Sequence, residues 1–149
     1  MERILTFTKE SKMDHYLADA CIVWCFDSRF GEAYRQFIED RNFNHIDQIK
    51  VAGGAKDLTN DSNGKNFILD QIEKSLHLHK SESIILMVHT NCGAYGKNFS
   101  NQAEEYEFYR EELRKAEEAV KIFLEEKGIE NIEIETIFVD EKGILTPIK

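Results

Sequence analysis

Two short apolar runs constrain this chain more than any other feature: Cys21–Cys25 (Cys-Ile-Val-Trp-Cys) and Ile84–Val88 (Ile-Ile-Leu-Met-Val). Each is continuously apolar rather than alternating, which is the pattern of a strand covered on both faces of a parallel sheet. Both are far too short to span a bilayer. Each also stops abruptly at residues that carry chemistry. The first run ends in Cys25-Phe26-Asp27-Ser28-Arg29, the second in His89-Thr90-Asn91-Cys92. In open α/β sheets, ligands and catalytic groups collect at the carboxyl ends of strands, so these two runs place their motifs where a site forms if the strands are neighbours.

The remaining segments fit around those strands. Ala33, Tyr34, Phe37 and Ile38 recur at helical spacing within 31–41, and 46–52 reads as a second strand closed by Gly53-Gly54. Asp61 or Ser62 can cap a helix running to about His79, with Phe67, Ile68, Ile72 and Leu76 on one face. A long charged helix covers 102–127, with Gly128 as its stop signal. The stretch 132–139 alternates at its start (Ile132, Ile134, with Glu133 and Glu135 between them), which suits an edge strand or one exposed face. Asp140–Gly143 is a turn, and 144–148 can return as an antiparallel hairpin strand. Strands alternating with helices define an α/β domain with a mostly parallel sheet of about four strands flanked by helices, plus that C-terminal antiparallel strand. No repeat, linker or low-complexity tract divides the chain, so residues 1–149 read as a single domain.

Charge and cysteine usage narrow the function classes. A formal charge of −9 argues against nucleic acid, which is bound through clustered Lys and Arg. The opening Met1-Glu2-Arg3-Ile4 carries no apolar signal-peptide core, so a cytoplasmic, reducing setting is expected, with no membrane partner. There, three cysteines read as metal ligands, reactive thiols or core residues before disulfides.

The thiols and imidazole at the two strand ends form the ligand set of a zinc site with an open fourth position. His89 and Cys92 can share one ion from a strand end and the turn after it, and Gly93 suits a tight turn that brings both side chains inward. A buried Cys beside an unrelated His is the plain alternative. In C-x-D-x-R, alternation in extended chain would point Cys25, Asp27 and Arg29 the same way, although a strand end with a surface ion pair has the same residues. Gly53-Gly54 is an ordinary glycine turn, or a source of backbone N–H groups for a substrate oxygen. Cys21 reads as core. His15, His45, His77 and His79 read as ordinary surface or helix-end residues, and the acidic stretch 104–118 as a solvated helix face.

Taken in order, Cys25-Phe26-Asp27-Ser28-Arg29, Val51-Ala52-Gly53-Gly54 and Ile85–Gly93, the chain resembles the β-class carbonic anhydrases, whose pattern is C-x-D-S-R, then N-A-G, then G-H-x-x-C-G. The resemblance runs from about Ala20 to the 140–145 hairpin. Val51 stands where the family has Asn, Val88 where it has Gly, and few residues precede Ala20 to form the family's N-terminal arm. The resemblance implies zinc held by Cys25, His89 and Cys92, a catalytic dyad of Asp27 and Arg29, and substrate placement by Gly53 and Gly54. It implies a carbonate dehydratase-type lyase that hydrates CO2 reversibly to bicarbonate through a zinc-bound hydroxide, and assembly into homodimers or higher homo-oligomers. Asp27 would orient the nucleophile, Arg29 would hold Asp27 off the metal, and Phe26, Phe30 and Tyr95 are candidates for an apolar wall. Two thiolates leave bound Zn²⁺ formally neutral, so an activity rising toward alkaline pH is expected. Three rival readings share parts of this picture: a zinc hydrolase for CS2 or COS, a non-catalytic zinc module, and a metal-free thiol enzyme.

Overall fold

The computed structural model describes residues 10–148, so the reading of Met1–Ile4 lies outside the described residues. A five-stranded sheet runs in the order β2-β1-β3-β4-β5. Its strands are β1 (Ala20–Cys25), β2 (Ile46–Val51), β3 (Ser83–His89), β4 (Glu133–Val139) and β5 (Leu145–Pro147). The first four are parallel and β5 pairs antiparallel with β4. Helices α1 (Gly31–Asp40), α2 (Asn63–Leu78) and α3 (Gln102–Glu126) make the crossovers that parallel pairing requires. Among the described residues, no helix is long and apolar enough to cross a membrane.

The two apolar runs are the centre of the sheet. Every residue of β1 is buried, as are residues 84–89 of β3. The strands lie side by side with Val23 opposite Leu86, so Cys25 and His89 finish at nearly the same level. From β1 the chain crosses to β2 on one side, and from β3 to β4 on the other. The carboxyl ends of β1 and β3 therefore flank the point where the winding reverses, the place at which such sheets open a crevice.

Local signals set the helix ends. Ser62 Oγ accepts the Lys65 N–H at 3.1 Å at the start of α2. Asn101 Oδ1 accepts the Glu104 N–H at 2.9 Å, and Glu104 reaches back to the Ser100 N–H at 2.7 Å, closing both ends of the first turn of α3. Gly128, at φ 65°, stops α3, with the N–H groups of Gly128 and Ile129 returning to Glu125 and Leu124.

Two expectations about faces change. Phe67 is 53% exposed rather than part of the buried stripe of α2. The stripe is centred on Ile68, Ile72 and Leu76 and extends to Leu69 and Ser75, which leaves Phe67 a residue off its far edge. β4 is an edge only over its first half, because β5 pairs with Ile137–Val139 alone. That is why Glu133 and Glu135 remain near solvent while residues 136–139 are buried.

The end of the sheet away from the two motifs carries a polar cluster. Asp47 of β2 accepts hydrogen bonds from Tyr16 Oη at 2.8 Å, Ser75 Oγ at 2.7 Å and His79 Nδ1 at 2.8 Å. Tyr16 lies between the rings of His45 and His79. His79 is the helix-end residue expected, but it is half-buried and paired rather than a free surface group. Burial pushes the Asp47 carboxyl up, and the bonds from Ser75, His79 and Tyr16 outweigh it, leaving Asp47 below its ordinary range. Asp47→Ala strands several of these donors and should cost about 2–4 kcal/mol in denaturant unfolding. Because the folded-state value is depressed, the contribution is present in full above about pH 4 and lost as pH falls through the folded value. The difference between Asp47→Ala and the unaltered chain should therefore shrink in acid; a difference independent of pH would refute the assignment.

Candidate metal centre

Cys25 ends β1, His89 ends β3, and Cys92 follows on the turn after β3. Their ligand atoms all lie within 4.8 Å of one another and all three residues are buried, the one such group among the described residues. The imidazole is aimed by its surroundings. His89 Nδ1 lies 2.7 Å from Thr90 O, and a carbonyl only accepts, so Nδ1 carries the proton. Nε2 then presents its lone pair, fully buried and with no hydrogen-bond partner among the described residues. Phe30 stacks on the ring at 4.3 Å and Trp24 meets its edge at 5.5 Å, holding it in place.

The sulfurs are equally prepared. The Cys92 thiol donates to Cys25, which holds Cys25 well below the ordinary thiol range against the opposing effect of burial. The backbone N–H groups of Asp27 and Gly53 add to the same effect. Cys92 is pushed up by that shared proton and by burial, while the N–H groups of Ala94 and Tyr95 favour its thiolate. A divalent cation held here would take the place of the shared proton, and the backbone N–H groups around the two sulfurs favour the thiolates it would need. An orphaned imidazole nitrogen facing two such sulfurs fits zinc. Cys21, by contrast, is fully buried in β1 and burial raises it to about 12, the core residue expected.

Asp27 and Arg29 meet, but by a different route from alternation in extended chain. The strand stops at Cys25, Asp27 caps a short 3₁₀ turn (Ser28–Phe30), and its Oδ1 accepts the Arg29 N–H at 3.0 Å. Arg29 Nε and Nη2 then donate to the carboxylate in a fork, the shortest bond being 2.6 Å. Arg29 holds Asp27 down to about 2, against a smaller opposing effect of burial, so the carboxylate stays ionised across the physiological range. Asp27 Oδ2 stands 3.8 Å from His89 Nε2, beside the three ligands.

The glycine turn belongs to the same construction. Gly54 has φ 59°, and a Cβ there would lie 2.3 Å from Met87 O and 3.2 Å from Cys25 N. The turn after β2 presses across the ends of β1 and β3, so only glycine fits. Gly53, at φ 83°, lines the cavity while its N–H serves Cys25; Gly54 lies behind it. The tight turn after His89 is made by Asn91 (φ 51°), not by Gly93, which is exposed with open space around it.

The two sulfurs face a cavity of about 400 Å³ whose other walls are Asp27, Ser28, Phe26, Ala52, Gly53, Gly93 and Ala94. Of the three aromatics expected as a wall, only Phe26 lines it. Phe30 backs His89, and Tyr95 turns toward the aromatics of α3, 5.1 Å from the Tyr109 ring. A larger cavity, about 800 Å³, opens beyond Arg29 but is lined by neither cysteine. Sequence reasoning misses Ala52 and Ala94, which are unremarkable by type, and Thr90, Asn91 and Glu105. Only Thr90 and Asn91, sitting between two ligands, offer a signal.

An α/β sheet with a Cys-His-Cys cluster at its switch point has the form of a candidate metal site, and similarity to known proteins narrows the class. A family model described as "Putative carbonic anhydrase" matches residues 17–149, and the chain belongs to that family. No curated protein matches it in sequence. In structure it is similar to β-carbonic anhydrase isoform I of Trichomonas vaginalis (18% identity, 94% of this chain and 87% of that one, TM-score 0.60). It is also similar to the Streptococcus mutans carbonic anhydrase (17%, 95% and 88%, TM-score 0.54). A carbon disulfide hydrolase in its apo form shares the fold as well (13%, 90% and 81%, TM-score 0.55).

Gly54→Ala combines strain with a backbone clash, so it should destabilise the chain by on the order of 3 kcal/mol in thermal unfolding. A variant as stable as the parent would show that the turn does not press on β1 and β3 as described. Elemental analysis should find about one zinc per chain, absent in Cys92→Ala; full zinc content in that variant would remove Cys92 from the ligand set.

Proposed function

We propose that this chain is a zinc-dependent lyase of the carbonic anhydrase type, catalysing reversible hydration of CO2 to bicarbonate. The observation that supports it best is the pairing of a three-residue ligand set with an adjacent, clamped carboxylate. Structural zinc sites usually close with four protein ligands, whereas the group here has three. A purely structural site has no use for an ionised Asp27 held beside them by Arg29.

Cys25, His89 and Cys92 would hold the zinc. When bound, it supplies a Lewis acid that makes water a competent nucleophile near neutral pH. The chain's own residues do the rest. Asp27 is ionised and acceptor-only, so it takes a hydrogen bond from the nucleophile and fixes its direction. Arg29 keeps that carboxylate charged and oriented. Phe26, Ala52 and Ala94 give a carbon wall suited to a small linear apolar molecule, and Gly53, with Gly54 behind it, shapes its floor. Among the described residues no histidine lines the cavity, so buffer or solvent carries the released proton. The tetrameric β-carbonic anhydrases of Sordaria macrospora share the fold, and a homodimer or larger homo-oligomer is part of this reading, as is a cytoplasmic location.

Stopped-flow CO2 hydration tests it. The parent should be active, with a rate that rises from neutral to mildly alkaline pH; a flat or falling profile argues against this chemistry. Arg29→Ala should keep zinc yet lose at least about a hundredfold in kcat, the scale of losing an oriented acid–base group. Activity on CS2 or COS with none on CO2 would transfer the same site to the hydrolase reading. Bound zinc without turnover of any of the three would favour a non-catalytic module.

A further inference from the structure

The clamp on Asp27 is itself held from the other motif. Arg29 has a side chain 55% exposed, and burial alone would leave it free to swing. It is fixed by its donors instead. Nε and Nη2 reach Asp27, while Nη1 donates to Asn91 Oδ1 at 2.9 Å and Nη2 also donates to Asn91 O at 3.0 Å. Asn91 can offer both oxygens because it sits in the left-handed region, at φ 51°, which Asn tolerates better than most residues. The turn carrying it is anchored in its own right. Glu105 of α3 accepts the Asn91 N–H at 2.8 Å and the Thr90 hydroxyl at 2.7 Å. Thr90 O is in turn the acceptor that orients His89. One carboxylate on α3 thus steadies a turn that aims a ligand ring and anchors the guanidinium.

We propose that Asn91, on the turn held by Glu105, is a positioning residue that keeps Arg29 on Asp27 and so keeps the Asp27 carboxylate off the metal's fourth position. The inference rests on the reading of Cys25, His89 and Cys92 as metal ligands. Asp27 already stands 3.8 Å from His89 Nε2, so a carboxylate released by Arg29 is a ready competitor for that position. Loss of the Asn91 side chain removes a charge-assisted acceptor from Arg29, weakens the clamp and shifts the population toward that closed arrangement.

The test uses the full chain loaded with cobalt(II), whose visible spectrum reports its ligands, titrated with thiocyanate as a probe of the fourth position. Asn91→Gly is the informative variant, since glycine adopts the same φ without strain and preserves the main-chain acceptor. It should retain about one metal per chain but bind thiocyanate about tenfold more weakly than the parent, the consequence of a partly depopulated open state. Asn91→Asp, which keeps the acceptor, should stay near the parent value. Adding Asp27→Asn to Asn91→Gly should restore thiocyanate binding, because the amide is a poor competitor for the metal. Undiminished thiocyanate binding in Asn91→Gly overturns the proposal, as does failure of Asp27→Asn to restore it. A parent chain that takes up no zinc or cobalt overturns instead the metal reading on which the proposal rests.

Discussion

Pairing between β1 and β3 is the contact on which the rest of the molecule depends. Both strands are buried along nearly their whole length, and their register brings Cys25 and His89 to the same level at the sheet's carboxyl edge. The crossovers leave these strands in opposite directions, which opens a crevice between their carboxyl ends. The turn at Gly53-Gly54 closes one flank of that gap. It does so at backbone distance, which is why a side chain at Gly54 cannot be accommodated. Burial of these two strands thus sets the distance between the two polar motifs at their ends.

Within that frame, the site is a problem of placing charge. Two sulfurs and an ionised carboxylate crowd one small cavity beside a fully buried imidazole. The repulsion is relieved by one proton shared between Cys25 and Cys92 and by Arg29 on Asp27. A divalent cation held by the sulfurs would take over the first task and leave the second untouched. Arg29 matters because it separates the carboxylate from the ligands, and its own position is borrowed from the turn at Asn91 and from Glu105 on α3.

Much of this is legible in the amino-acid sequence. The doubly buried strands show as unbroken apolar runs, and the candidate ligands show because Cys25 and His89 stand at the ends of such runs, with Cys92 on the turn that follows. Asp27 and Arg29 stand out through their motif, though the 3₁₀ turn that joins them does not. Phe67 misleads because helical spacing alone makes the α2 stripe one residue too wide. Tyr95 misleads because nearness in sequence says nothing about the direction of a ring. Glu105 is invisible for a different reason. It is one of many glutamates on α3, and only the docking of that helix against the His89–Cys92 turn distinguishes it.

The sequence by itself determined the fold class, the three candidate ligands and the identity of the carboxylate beside them. These depend on local signals: apolar periodicity, strand-end position and the chemistry of single side chains. Tertiary structure decided which face of the ligand set opens to a cavity, which side chains wall it, and what holds Arg29 in place. Those properties arise from contacts between segments far apart in the chain, such as Arg29 with Asn91 and Asn91 with Glu105. Sequence spacing carries little information about such contacts, because the packing of helices on the sheet sets them only after the strands have found their order.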